Sequence, residues 1–186
     1  MTKWDKVYIH SGEEGLRPPS PSLVKYFDRL PSGRALDLAC GMGRNAIYLA
    51  GRGYQVDAVD GSVVALEKGL AFAREAGLKI NFIHADLTAF RVEPESYDLI
   101  ICYYYLERSL TEQIIKGLKE GGVLLFETYT KEQKTIGPPL NDDYLIGANE
   151  LPELFRELHP LIYREGIVNE EGRRKGIATL LAKRRY

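Results

Sequence analysis

Asp37-Leu38-Ala39-Cys40-Gly41-Met42-Gly43 ends a run of strand-forming residues and leads straight into Arg44-Asn45, the start of an amphipathic stretch. Those types at that spacing suit one task. A strand that turns at once into a helix presents the helix's free N–H groups at the sheet edge, where a small ligand can dock. Gly41 and Gly43 let the backbone pass close to such a ligand and take dihedrals closed to other residues. Asp60 ends the next strand-like run, 17 residues beyond Gly43, where a carboxylate can accept hydrogen bonds from ribose hydroxyls. Glycines alone are a weak signal, but strand, glycine turn, helix, strand and acid in that order define a nucleoside-binding edge. Asp37 also has a structural role open to it, accepting from loop amides, and Asp60 is equally placed to cap the helix that follows Ser62.

The chain supplies the sheet those residues need. Short β-branched or apolar runs alternate with amphipathic stretches, the pattern of a parallel α/β sheet. Residues 22–30 predict a first helix with Leu23, Val24, Phe27 and Leu30 on one face. Strands are expected at 34–39, 54–59 and 79–83, and helices at 44–52 and 62–76, ending at Gly53 and Gly77. Residues 97–104 are almost wholly apolar, as in the middle of a sheet covered on both faces. A helix over 111–119 is broken by Gly121-Gly122 ahead of a fifth strand at 123–128, and a last helix spans 149–159, with Asn149 as N-cap and Pro160 beyond it. Strands at 161–168 and 176–183, joined only by the polar turn 169–175, must form an antiparallel hairpin. Residues 1–19 and 131–148 are polar, Gly- and Pro-rich, and too long for simple connections. We read both as cover for a site, with Trp4, Tyr8 and Tyr144 as isolated aromatic anchors; the lid and first helix together occupy residues 1–30 of a single domain, 1–186.

Two ligands fit the glycine turn. Gly41-x-Gly43-x-x-Ala46 matches a dinucleotide fingerprint, which keeps open a nicotinamide-linked oxidoreductase or redox-sensing module. The wider series is more specific: Asp37-x-Ala39-x-Gly41-x-Gly43 resembles the first motif of class I S-adenosylmethionine-dependent methyltransferases, with alanine at 39 where that family usually has glycine. His84-Ala85-Asp86-Leu87 resembles its segment after the third strand, Tyr97-Asp98-Leu99-Ile100-Ile101-Cys102 its fourth-strand motif, and Leu118-Lys119-Glu120-Gly121-Gly122-Val123 its approach to the fifth strand. Leu38-Ala39-Cys40-Gly41-x-Gly43-Arg44-Asn45 and the early Trp4-x-x-x-Tyr8 look most like small tellurite-resistance-type members. The resemblance implies a doubly wound, seven-stranded, mostly parallel Rossmann-like sheet of order 3-2-1-4-5-7-6 with the last strand antiparallel. It implies S-adenosylmethionine as cofactor and S-adenosylhomocysteine as product, held by Asp37, Ala39, Cys40, Gly41, Gly43, Arg44, Asn45, Asp60 (ribose), Gly61, Ser62, Asp86 (adenine amine), Leu87 and Tyr103. Methyl transfer needs no obligatory acid or base when the acceptor is already nucleophilic; otherwise Tyr8, His10, Tyr104 and Glu107 are the candidates. A protein that binds the cofactor without catalysis remains a further reading.

Composition narrows the partners. With 186 residues, 45% hydrophobic and 27% charged, the chain is of ordinary globular make-up and one-domain size. A net charge of -1 argues against binding nucleic acid by bulk electrostatics. No Pro-Cys motif and no Asn/Asp-Pro-Pro-aromatic run point to base methylation, so a small-molecule acceptor is expected. No His/Cys/Asp spacing indicates a metal site. His84 and His159 read as structural histidines, and Cys40 and Cys102 as small buried residues ending neighbouring strands rather than a disulfide framework. The longest apolar run, 99–106, is too short to span a membrane, and the N-terminus has no apolar leader, giving a cytoplasmic expectation. In Tyr103-Tyr104-Tyr105, alternation puts Tyr104 opposite its neighbours, so one or two belong to the core and another to the cleft.

Overall fold

Leu36 and Leu38 are buried on one face of the central strand and Ala35 on the other, so both faces need cover, which is what a parallel sheet provides. A computed structural model describes residues 2–11, 15–137, 141–170 and 172–185. In it β1 (Arg34–Leu38), β2 (Gln55–Asp60), β3 (Asn81–His84), β4 (Tyr97–Tyr103), β5 (Leu118–Tyr129), β6 (His159–Glu170) and β7 (Arg173–Lys183) form one sheet. Its order is β3-β2-β1-β4-β5-β7-β6. The first five strands pair in parallel, and β7 runs antiparallel to both β5 and β6. The strand order and the reversed last strand are those expected.

Helix α2 (Pro21–Tyr26) precedes β1, and α3 (Arg44–Ala50), α4 (Val63–Glu75), α5 (Thr111–Gly117) and α6 (Glu150–Leu154) run between strands. β4 shows how the sheet divides the core: Ile100 and Cys102 face one apolar cluster, Leu99, Ile101 and Tyr103 the other. The sheet reverses between β1 and β4, and that switch point is where open α/β sheets hold ligands.

Several local expectations are corrected. The first helix gives way to a 3-10 turn at Phe27–Arg29, and Leu23 and Tyr26 face the core while Val24 is 48% exposed. Gly121-Gly122 lies inside β5 rather than ahead of it: the fifth helix stops at Gly117 and Leu118 already pairs with Tyr97 across a register shift. At Gly122 a Cβ would meet the Lys119 carbonyl at 2.9 Å and that of Tyr97 at 3.0 Å, so this bulged crossing admits only glycine. The last helix is much shorter than 149–159. Its chain turns at Phe155, which brings Phe155 and Leu158 into the core and hands His159 to β6. The hairpin is correspondingly longer than expected. Residues 1–19 contain a further helix, α1 (Lys3–Tyr8), and residues 131–148 contain 3-10 turns at Lys131–Thr135 and Asp142–Tyr144, tied to the end of β5 by a Thr130–Ile146 bridge.

Candidate active site

The loop after β1 is built by its dihedrals. Ala39, Gly41 and Gly43 all lie in the left-handed region, at φ of 56°, 57° and 74°. Glycine takes that region freely, whereas an alanine there costs roughly 1–2 kcal/mol, strain of the kind that gathers at functional sites. The loop is pinned by Cys40 donating to the Val59 carbonyl (3.0 Å) and Gly43 to that of Cys40 (2.9 Å). Asp60 completes it: one carboxylate oxygen accepts from the Gly41 amide and the other from Ser62, both at 2.8 Å. Asp60 thus pins the glycine loop and leaves the cap of α4 to Ser62, contrary to the capping role open to it, while keeping further lone pairs for a ligand.

Above this loop opens a cavity of about 710 Å³. Of the expected cofactor residues, Asp37, Ala39, Cys40, Gly41, Arg44, Asn45, Asp60, Gly61, Asp86, Leu87 and Tyr103 line it. Gly43 and Ser62 do not. Gly43 N-caps α3 from behind the wall, and the buried Ser62 hydroxyl caps α4 by accepting from Ala65 (3.2 Å). Among the acid/base candidates, Tyr8, Tyr104 and Glu107 line the cavity, whereas His10 stands in the turn beyond α1, outside its wall. Asp86 is exposed and makes a turn, accepting from the Thr88 amide (2.9 Å) and hydroxyl (2.8 Å), bonds that hold its carboxyl below the usual range. His84 is exposed rather than buried and faces the cavity, with Nε2 3.3 Å from the Gly61 carbonyl.

Asp37 is the most informative group. It is 2% exposed, accepts from the Ala46 amide, and its Oδ2 has no hydrogen-bond partner. Burial first, and the neighbouring Asp60 charge second, push its carboxyl up to about 8. A buried, unpartnered carboxylate oxygen at a cavity wall calls for an external donor.

The N-terminal segment closes one side. Thr2 and Asp5 form a capping box that starts α1, and Asp5 also accepts from the Ser62 hydroxyl at 2.7 Å. These bonds hold the Asp5 carboxyl down at about 2. At the other end Lys68 on α4 donates to the carbonyls of Tyr8, Ile9 and Ser11, at 2.8, 2.7 and 2.6 Å. Tyr8 is thereby laid over the glycine loop; a Cβ at Gly41 would stand 2.6 Å from its hydroxyl. Burial and the Asp60 charge push the Tyr8 phenol up to about 12. Trp4, Leu16, Arg17 and, from the second long loop, Tyr144 complete this wall.

After β4 the alternation expected of the three tyrosines fails. Tyr104 lies at φ 57°, the chain turns there, and all three rings line the cavity. Asp5, Lys68 and Glu127 were not anticipated. Thr2-x-x-Asp5 has capping-box spacing, and Glu127 ends an otherwise apolar run, so both left a trace; Lys68 left none. Among the described residues no cluster of three or more His, Cys, Asp or Glu is placed to hold a metal ion, and no helix is long and apolar enough to cross a membrane.

A family model described as a methyltransferase domain matches residues 35–122. Over 170 residues the chain is 31% identical to a probable S-adenosyl-L-methionine-dependent methyltransferase, TehB, of Haemophilus influenzae, covering 82% of this chain and 57% of that protein. It is 30% identical over 139 residues to a ubiquinone biosynthesis O-methyltransferase of Burkholderia vietnamiensis, covering 71% and 60%. The crystal structure of TehB from Haemophilus influenzae superposes with a TM-score of 0.79 at 24% identity, over 89% of this chain and 62% of that one. In fold, glycine loop and acidic strand ends the chain is similar to the class I S-adenosylmethionine-dependent methyltransferases. Among them it is similar to TehB, although it spans little more than half of that protein's length.

Proposed function

We propose that the cavity binds S-adenosylmethionine and that the chain passes its methyl group to a small-molecule acceptor by in-line displacement, leaving S-adenosylhomocysteine. The observation that carries this reading is Asp37 Oδ2, buried and unpartnered beside the glycine loop. It fits a cationic amino group. Asp60 fits ribose hydroxyls, with Gly41 allowing close approach, and Asp86 and Leu87 fit the adenine edge. When bound, the cofactor supplies an electrophilic methyl group. The chain's own residues bind and orient it and keep water away, the last through α1 and the second loop, whose Trp4, Tyr8 and Tyr144 roof the cavity. Similarity to a ubiquinone biosynthesis O-methyltransferase supports transfer to a small acceptor.

Calorimetry with S-adenosylhomocysteine and with NADH tests the reading. Binding of the first and not the second is expected; NADH alone binding would move the glycine loop to the dinucleotide class. Asp37→Asn is expected to weaken S-adenosylhomocysteine and to leave the melting temperature of the free protein little changed, because a neutral amide replaces a carboxyl that burial already keeps mostly protonated near neutral pH.

A further inference from the structure

Glu127 on β5 is 0% exposed, and nothing in the cofactor site explains a carboxylate there. Its Oε2 accepts from the Thr179 hydroxyl at 2.8 Å and its Oε1 from the Tyr104 hydroxyl at 3.2 Å. Its backbone carbonyl accepts the Tyr104 amide at 2.8 Å. One residue therefore grips Tyr104 at both ends and holds it in the left-handed conformation that turns the chain into the cavity. Lys175 Nζ donates to the same Tyr104 hydroxyl at 3.4 Å. A phenol oxygen has one proton and two lone pairs, so with Glu127 and Lys175 engaged one lone pair remains. The cavity around it is aromatic, with Trp4, Tyr8, Tyr103, Tyr105 and Tyr144 on its walls.

Resting on the methyltransferase reading, we propose that the acceptor is a neutral hydroxyl on a planar ring, and that Tyr104, positioned and relieved of its proton by Glu127, takes the acceptor's proton. The acceptor oxygen's electron pair forms the new O–C bond, and the pair of the broken S–C bond stays on sulfur. The acceptor's proton moves to Tyr104 Oη as the phenol's own proton moves to Glu127 Oε1, leaving a neutral carboxylic acid. The positive sulfonium and the negative carboxylate are both neutralised, which a water-poor site favours. After product leaves, the proton returns to solvent by the same pair.

The groups facing Glu127 agree with this role. Tyr103 at the end of β4, Tyr129 on β5, Glu170 on β6, Lys175 and Thr179 on β7, Ser22 on α2 and Arg44 on α3 surround the Glu127–Tyr104 pair. Burial, with Glu170 adding to it, raises the carboxyl above its ordinary range, while bonds from Ser22, Thr179 and Tyr104 oppose the rise. Glu127 is thus a better proton acceptor than an exposed glutamate.

The test compares phenol with thiophenol, rings of one shape of which only the thiol is largely ionised near pH 8, in wild type, Glu127→Gln, Glu127→Asp and Tyr104→Phe. S-adenosylhomocysteine affinity is measured alongside. Expected are unchanged S-adenosylhomocysteine binding and a kcat on phenol lowered about a hundredfold in Glu127→Gln and Tyr104→Phe at similar KM. Thiophenol is expected to lose less than about threefold, and Glu127→Asp to recover part of the phenol rate. In infrared titration of the free protein, Glu127 is expected as a carboxylate at the assay pH and, as pH is lowered, as a protonated-carboxyl band that Glu127→Gln lacks and Tyr104→Phe shifts. Equal losses on both acceptors, wild type that methylates thiophenol but not phenol, or a missing carboxyl band would each overturn the proposal. Failure of wild type to bind S-adenosylhomocysteine at all would instead overturn the methyltransferase reading, and this proposal with it.

Discussion

If Asp37 receives the cofactor's amino group, cofactor affinity must depend steeply on pH in a range where most binding sites are indifferent. The carboxyl stands near 8 in the free protein because it is buried and faces Asp60. An ammonium group needs the ionised form. At about pH 6, two units below that value, roughly one molecule in a hundred is ionised, so binding must first expel a proton at about 1.4 kcal/mol per unit. The affinity for S-adenosylhomocysteine is therefore expected to rise about tenfold per pH unit from 6 to 8 and to level off above, a span of about a hundredfold or ~2.7 kcal/mol. Calorimetry in buffers of different ionisation heat reads the same quantity as close to one proton released per ligand below pH 7. Because Asp37 and Asp60 face one another, the apparent midpoint belongs to the pair. Asp37→Asn is expected to flatten the profile. A flat profile in wild type, or an unchanged slope in Asp37→Asn, would refute the assignment. The free protein gives an independent sign: a carboxyl raised from 3.8 towards 8 by folding keeps a proton that the unfolded chain releases. Stability from this group is thus full below the unfolded value and falls as pH climbs to 8.

Four further outcomes are expected. S-adenosylhomocysteine at one hundred times its dissociation constant should stabilise the protein by about 2.7 kcal/mol in thermal melts, and NADH should not. Asp60→Ala removes the partner of both the Gly41 and Ser62 amides, so calorimetry and denaturation should together show cofactor affinity and fold stability each reduced by about 1.5–3 kcal/mol; loss of binding alone would mean those two bonds are dispensable. Gly41→Val should abolish binding outright, since its Cβ meets the Tyr8 hydroxyl and its φ is positive; wild-type binding would mean the loop is not the cradle. Lys68→Met should release the end of α1, raising amide exchange in residues 2–11 and lowering turnover more than the melting temperature, whereas S-adenosylhomocysteine should add protection there in wild type.

Residues whose environment is set by near neighbours were legible in the sequence. The β1–glycine–α3 turn is one piece of chain, and the acid at the end of β2 is placed by the same parallel pairing that aligns Leu38 with Val59. The sheet order followed from a family resemblance and from a hairpin that had to be antiparallel. Where tertiary packing overrode local pattern, the reading drifted: Phe155 and Leu158 left a helical register to fill the core, and Val24 lost its expected place to Tyr26. The acceptor side was least legible. Glu127, Tyr104 and Lys175 come from β5, the end of β4 and β7, and nothing in their local sequences says that β7 slots between β5 and β6 to bring them together. Even so, the apolar run Val123-Leu124-Leu125-Phe126 ending in Glu127 carried a physical signal. A carboxylate that strand periodicity delivers to the interior must either find donors or hold a proton. Here the donors are three hydroxyls, Ser22 from α2, Thr179 from β7 and Tyr104 just past β4, and the last, at the cavity wall, turns a buried charge from a structural liability into a group able to accept a proton.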